Sequence, residues 1–363
     1  MAKNAKLRQA DKEQNDEFYT QYEYIQREIN AHLDYNADVF KNKTILLPCD
    51  DPEWSNFTKF FAQNFEAFGL KKLISTSYAV ESKNNKYGYQ PTLFETGSSQ
   101  FDKKKTRTHG KIFILDRDIN GNGKIDIEDL QWSYLKGDGD FRSEEVKALR
   151  DEADIIITNP PFSLFREFVY WLMESDKKFI ILGNQNAITY KEIFPYIKDN
   201  KIWLGSSIHS GGVDFRIPDD YPQYSANVFI RNGHHYINLA GVRWFTNVDH
   251  GQRHQPLELM TMADNIKFSR HKEVKNIGYK RYDNYDALNI PFTDSIPCDY
   301  DGLMGVPITY MDKYCPDQFD IIDGIGRYSI LHNEETKKNR KYLSMIDGKA
   351  VFFRIIIRKR KKS

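Results

Sequence analysis

The chain lacks several patterns that mark whole protein classes. It has three cysteines in 363 residues, Cys49, Cys298 and Cys315, an odd number at wide spacing. No CxxC pair occurs, and the nine histidines form neither HExxH nor HxH. This argues against a disulfide scaffold and a zinc enzyme, and makes a reducing cytoplasm the expected compartment. No apolar run approaches the roughly 18 residues of a membrane span, and the polar N-terminus lacks the apolar core of a signal peptide. A soluble monomer with no membrane partner is expected. No Gly-rich loop follows the first predicted strand, which speaks against kinase, ATPase and NAD-dependent readings. No internal repeat is visible.

What is present is a large apolar and aromatic content, 40% hydrophobic and 14% aromatic, enough for two domains or one large α/β domain with an appendage. Net charge is +1 and unevenly spread. Residues 201–363 hold 24 Lys and Arg against 19 Asp and Glu, with basic runs at Lys337–Lys341 and Arg358–Lys362. Such runs are solvated tails or phosphate contacts.

Apolar runs and helical periodicities alternate from residue 44 to residue 205. Thr44–Leu47, Lys72–Tyr78, Lys111–Leu115, Ala153–Thr158, Lys178–Leu182 and Lys201–Gly205 read as strands. Tyr22–Leu33, Asn56–Phe68, Leu164–Met173 and Lys191–Asp199 read as helices, with Gly69 as a C-cap and Ser55 or Asn56 as an N-cap. The alternation predicts an α/β class chain with a doubly wound, mostly parallel sheet. The polar stretch from 79 reads as an insertion, taken to 136, and the pattern becomes irregular near 205–215. The expected division is 1–210 and 211–363.

The most telling segment is Asp154-Ile-Ile-Ile-Thr-Asn159-Pro160-Pro161-Phe162. A β-branched run ending in two prolines puts a rigid loop at a strand's carboxyl edge, where open α/β sheets bind ligands. The loop offers the Asn159 side-chain carbonyl, the Pro160 backbone carbonyl and the Phe162 ring. Neither proline has an N–H to compete as donor. Two acceptors and a flat ring suit an exocyclic amine on a planar base. Such an amine is a poor nucleophile, and acceptors already in position relieve the charge it develops as it attacks a methyl group. The plainer reading is a Pro-Pro stop at a core strand.

Other segments bear on chemistry. Pro48-Cys49-Asp50-Asp51 ends the first strand, where either acid can accept from an amino acid's ammonium or cap a turn. Gly137-Asp-Gly-Asp140-Phe141 is a turn with an acid beside a ring, suited to a purine's amino edge and face or to a helix entry. Asp118, Asn120, Asn122 and Asp129 stand at EF-hand spacing, with Asp in the last position. They give a candidate structural Ca²⁺ site or an Asx/Gly turn of similar spacing. Trp244-Phe245-Thr246-Asn247, His250, Arg253 and His254 form a polar-aromatic cluster able to read base edges or to serve an ordinary domain.

Taken together, Asp16-Glu-Phe18-Tyr19-Thr20, Leu47-Pro48-Cys-Asp50-Asp51, Gly137-Asp-Gly-Asp140-Phe141-Arg-Ser, Thr158-Asn159-Pro160-Pro161-Phe162, Arg243-Trp-Phe-Thr-Asn247 and Pro297–Pro307 resemble the EcoRI-type adenine-specific DNA methyltransferases over roughly residues 15–360. The resemblance implies the S-adenosylmethionine-dependent methyltransferase fold with a C-terminal DNA-recognition region. It implies S-adenosyl-L-methionine as donor, double-stranded DNA as partner and methyl transfer to N6 of a flipped-out adenine. It places Phe18, Tyr19, Thr20, Pro48, Asp50, Asp51, Asp140 and Phe141 around the cofactor. Asn159, Pro160, Pro161 and Phe162 fall at the target base, and Arg243, Asn247, Arg253 and His254 toward DNA. The cofactor loop departs from the pattern in lacking Gly-x-Gly, and no acid ends the second strand. Rival readings are an RNA or protein-glutamine N-methyltransferase, which uses the same turn, and a non-catalytic calcium-dependent DNA-binding protein.

Overall fold

The computed structural model describes residues 19–50, 55–79, 96–217, 227–284, 286–325 and 344–360. Phe18, Asp51, the 80–95 part of the expected insertion and the basic run Lys337–Lys341 lie outside the described residues. The chain forms two compact units. One contains residues up to Asn184 with Ser210–Val248, and the other contains Gln185–His209 with the residues from Asp249 onward.

The first unit is mixed α/β. In chain order it contains β1 (Tyr19–Thr20), α1 (Tyr22–Tyr35), β2 (Thr44–Leu47), α2 (Asn56–Gln63), β3 (Lys72–Thr76), α3 (Lys105–Thr108), β4 (Lys111–Leu115), β5 (Gln131–Tyr134), α4 (Glu144–Glu152), β6 (Ile155–Thr158), α5 (Phe165–Glu174) and β7 (Lys178–Asn184). The second unit takes α6 (Phe194–Lys198) and β8 (Trp203–Leu204). The chain then returns to the first unit as β9 (Gly212–Arg216), β10 (Val228–Arg231), β11 (His234–Ala240) and β12 (Val242–Thr246).

The large sheet of the first unit runs β5-β4-β3-β2-β6-β7-β12. Strands β3, β2, β6 and β7 are parallel. β4 reverses against β3, β5 against β4, and β12 against β7. Every residue of β2 and β6 is buried, as expected of parallel strands covered on both faces. β2 pairs with β3 on one side and with the later β6 on the other. Chain order therefore reverses at β2/β6, and the carboxyl edge there is the place where such sheets bind ligands.

A smaller antiparallel sheet, β1-β9-β11-β10, grows from that edge. β11 passes through Gly241, at φ +79°, into β12. The first residue of β12, Val242, pairs with Asn184 at the carboxyl end of β7. Gly241 makes this corner because a side chain is strained at that φ.

In the second unit, α7 (Met262–Phe268) precedes β13 (Leu288–Asn289), β14 (Met304–Val306), β15 (Phe319–Ile325), the hairpin β16 (Met345–Ile346) with β17 (Lys349–Ala350), and β18 (Arg354–Lys359). The sheet order is β13-β14-β18-β15. Ile355, Ile356 and Ile357 of its inner strand β18 are fully buried. Among the described residues no helix is long and apolar enough to cross a membrane.

Candidate active site

Two hydroxyls and one acid join the cofactor-loop candidate to the Asn-Pro-Pro-Phe turn. Asp50 follows β2 and is 6% exposed. Its Oδ1 accepts from Ser55 Oγ at 2.7 Å, and its Oδ2 accepts from Thr158 Oγ1 at 2.6 Å. Ser55 also accepts from the Phe57 N–H at 3.0 Å, which makes it the N-cap of α2. Thr158 is the last residue of β6, directly before Asn159. The loop backbone is fixed as well. Ser75 Oγ donates to the Asp50 carbonyl at 2.6 Å, and Thr76 Oγ1 donates to the Pro48 carbonyl at 3.0 Å. Asp50 is thus held from the ends of both neighbouring strands, and Pro48 is buried beneath it.

The turn stands at the same edge. Pro160 is buried, and Asn159, Pro161 and Phe162 are half-buried. The Phe162 ring meets Phe215 of β9 edge-on, with centroids 6.4 Å apart. Phe215 pairs in register with Thr20 of β1. The Thr20 carbonyl accepts from Asn56 Nδ2, at the start of α2, at 2.7 Å. Tyr19–Thr20, Asp50, Ser55–Asn56, Thr158–Phe162 and Phe215 therefore form one connected group. Within it the Thr20 Oγ1 is buried with no hydrogen-bond partner among the described residues. A buried hydroxyl in that condition suits a polar ligand atom, because leaving it unmatched costs about 1–3 kcal/mol.

The Gly137–Phe141 turn packs against the end of β3. Ala79 N–H donates to the Asp138 carbonyl at 2.7 Å, and Gly110 N–H donates to the Gly137 carbonyl at 2.9 Å. Gly139, at φ +84°, lies so close that a Cβ there would sit 2.3 Å from the Ser77 carbonyl oxygen. Asp140 accepts from Arg142 Nε at 2.9 Å, from Arg142 Nη2 at 2.6 Å and from the Tyr78 hydroxyl at 3.3 Å. Burial opposes the charge of Asp140, but the Arg142 guanidinium and N–H outweigh it and hold the carboxyl below its usual value. Burial, followed by the charges of Asp138 and Asp140, pushes the Tyr78 hydroxyl up to about 12. Phe141 points into the core. It is 5% exposed and edge-packed on Phe168 and Trp171 at 5.1 and 5.8 Å. The ring expected against a purine is thus a packing residue for α5.

The EF-hand-like loop has its oxygens engaged by its own backbone. Asp118 accepts from the Gly121 and Gly123 N–H groups, and Asp129 from those of Ile119, Asn120 and Asp126. Asn120 and Asn122 each accept from the N–H two residues on. Among the described residues no group of three or more His, Cys, Asp or Glu side chains is placed to hold a metal. The donor set fits an Asx-turn series better than an ion cage.

The expected DNA contacts are placed differently. Arg243 is 3% exposed in β12 and donates to the Val242 carbonyl at 2.8 Å. Asn247 accepts from the Phe179 N–H at 2.8 Å and donates to the Lys177 carbonyl at 2.9 Å, closing the start of β7. Arg253, 6% exposed, lies 3.6 Å over the Trp203 ring and binds Asn200. These three polar groups are used inside their own units, which explains their setting without nucleic acid. His254 is half-buried, between Asp249 at 3.0 Å and Asp317 at 3.3 Å.

An open mixed α/β sheet with a buried polar cluster at the switch-point edge is the arrangement in which α/β proteins bind ligands. The family model described as adenine-specific methyltransferase EcoRI matches residues 6–360. The type II methyltransferase M.EcoRI of Escherichia coli is 40% identical over 99% of both chains. M.MgeORF184P of Mycoplasma genitalium is 34% identical over 96% of this chain and 97% of its own. M.MpnI of Mycoplasma pneumoniae is 32% identical over 97% of each. No solved structure matches the chain. The chain belongs to the EcoRI family of adenine-specific methyltransferases, a membership that implies S-adenosylmethionine as methyl donor.

Proposed function

We propose that the chain methylates N6 of a specific adenine in double-stranded DNA, with the base turned out of the stack into the Asn159–Phe162 turn. The observation that carries this reading is the bond from Thr158 to Asp50, which fixes the turn to the cofactor-loop candidate at the switch-point edge. The type II methyltransferase names of the relatives support DNA as the substrate.

S-adenosylmethionine, when bound, supplies an electrophilic sulfonium methyl. The residues present fit such a ligand. Asp50 would offer a buried carboxylate and Thr20 a buried hydroxyl, with Tyr19, Pro48, Tyr78 and Asp140 as the proposed remainder of the pocket. Phe18 and Asp51 keep their proposed places in this pocket. Phe141 would support it from behind. On the target side, the Asn159 side-chain carbonyl and the Pro160 carbonyl accept the two amine hydrogens. Phe162 lies against the base, and Pro161 keeps the loop rigid. Holding both hydrogens turns the nitrogen lone pair out of conjugation and toward the methyl. Positioning and fixed dipoles supply the rate.

Residues 1–210 then carry catalysis, with 79–136 inserted, and residues 211–363 carry target reading. The self-bonded 118–129 loop needs no ion for this chemistry. Asn159→Ala is expected to keep DNA and cofactor binding while transferring tritiated methyl roughly 100- to 1,000-fold more slowly. Full activity in that variant, or label entering RNA or protein in preference to duplex DNA, would overturn the reading.

A further inference from the structure

The small sheet at the candidate site's edge ends in the β10–β11 hairpin. Among the described residues β10 pairs with β11 alone, in the register Val228↔Ile237 to Arg231↔His234. The turn is Asn232-Gly233, with φ of +52° and +78°. This is the two-residue hairpin type whose twist matches its strands, so the ribbon is stiff.

Its composition is unusual for an exposed edge. Ile230 is 66% exposed and Phe229 36%. Phe229 stacks on Tyr236 at 5.7 Å, and Arg231 covers Tyr236 at 4.4 Å. Arg216 of β9 reaches His234 at 3.1 Å. Because paired residues share a face, Tyr19, Arg216, Tyr236 and Phe229 form one row across the four strands. Arg231 and His234 lie on the same face. Asp214 is the sole acid in these four strands, and Arg231 and Asn238 meet it at 3.6 and 2.7 Å. Proteins normally blunt exposed apolar edges. This one instead combines cations, an Asn-Gly tip and stacked rings.

We propose that the ribbon Val228–Ala240 is a duplex-DNA contact, with Arg231, Asn232 and His234 at its tip meeting the phosphates and base edges beside the target adenine. The β9–β11 ladder begins at Tyr236, so among the described residues the hairpin tip beyond it is two strands wide. A two-stranded ribbon fits the major groove, and Arg, Asn and His are groups that reach base edges and phosphates there. Position supports the same occupant. The ribbon continues into β12, which begins at the carboxyl edge of β7. The strand beside it carries Phe215, which touches Phe162 of the turn. DNA presenting a base to Asn159 therefore has the ribbon as a neighbour.

The inference rests on the DNA methyltransferase reading, and the test separates the two. Anisotropy of a labelled duplex containing the methylated site is followed across a salt series. Arg231→Gln is expected to weaken binding about 10-fold and to lower the slope of log K on log salt by about 1. Arg231→Lys should restore the slope, and calorimetry should show unchanged S-adenosylmethionine affinity in both variants. A wild-type protein that neither binds nor methylates duplex DNA overturns the reading itself. A wild type that does both, with Arg231→Gln and Asn232→Ala binding as tightly and with the same slope, overturns the ribbon alone. Ile230→Asp converting a dimer to monomers, with DNA binding untouched, would give the edge to a second copy of the chain and overturn it equally.

Discussion

The Thr158 hydroxyl donates to Asp50 Oδ2 at 2.6 Å across 108 residues of chain. One partner ends the strand that delivers the Asn-Pro-Pro-Phe turn, and the other lies in the cofactor-loop candidate just after β2. A short bond to a buried carboxylate is worth more than a neutral one, so the relative placement of the two loops is set at this point.

Thr158→Val removes that hydroxyl at constant shape and leaves the buried carboxylate short of one donor. A loss of about 1–3 kcal/mol of stability is expected, together with slower methylation at saturating substrates. Thr158→Ser, which keeps the donor, should recover both. Urea denaturation and single-turnover rates measure them, and a fully active, fully stable valine variant would show that the bond does not position the turn.

Asp50→Asn tests the other partner. The amide keeps the volume but removes the charge available to a bound ammonium. Calorimetry should show S-adenosylmethionine binding weakened about 10- to 100-fold, the equivalent of losing one charge-assisted bond, with DNA affinity little changed. Unchanged cofactor affinity would move that role to another acid.

Phe141 separates packing from stacking. Its ring lies among Phe168 and Trp171. Phe141→Ala should therefore cost about 3–5 kcal/mol of stability through the cavity it leaves. Phe141→Leu should regain most of that and bind S-adenosylmethionine normally. A leucine variant that is stable but binds cofactor poorly would restore the ring to the pocket wall.

These outcomes track what the sequence made legible. β2 and β6 are short, apolar and wholly buried, β6 entirely β-branched, so composition located them, and Ser55 announced its cap. The Asn-Pro-Pro-Phe turn was visible because prolines fix its backbone. What composition could not show was partnership over distance. Nothing local says that Thr158 turns its hydroxyl to Asp50, or that Phe141 faces α5 and not the loop tip. The hairpin did carry a signal, Asn232-Gly233 between apolar runs, though its place at the edge of the large sheet depends on the β7–β12 pairing. Arg243 and Asn247 read as surface chemistry because they are polar. Their burial follows from β12 entering the sheet beside β7, a non-local fact.

The 118–129 loop gives a metal test. Asp129 is held below the usual carboxylate range chiefly by the Ile119 N–H, with Asn120 and Asp126 adding to it. Its contribution is therefore present above the unfolded pKa and lost as pH falls through the depressed value. Adding a chelator at neutral pH should leave the melting temperature unchanged, whereas Asp129→Asn should lower it. A fall of several degrees on chelation would assign an ion to the loop.

His254 predicts a pH effect of opposite sign. Burial disfavours its charge, but the hydrogen bonds to Asp249 and Asp317 outweigh it and raise its pKa above the usual 6.5. A group with a raised folded pKa stabilises fully below its unfolded value and loses that contribution as pH rises through the folded one. The partly exposed setting and solvent screening keep the effect small. The melting temperature of the wild type minus that of His254→Gln should therefore be largest near pH 5.5 and shrink steadily toward pH 8.5. Asp317→Asn should flatten the same curve, because it removes one of the two acids that hold the proton. A difference that grows with pH would mean that the neutral imidazole is the form the fold prefers.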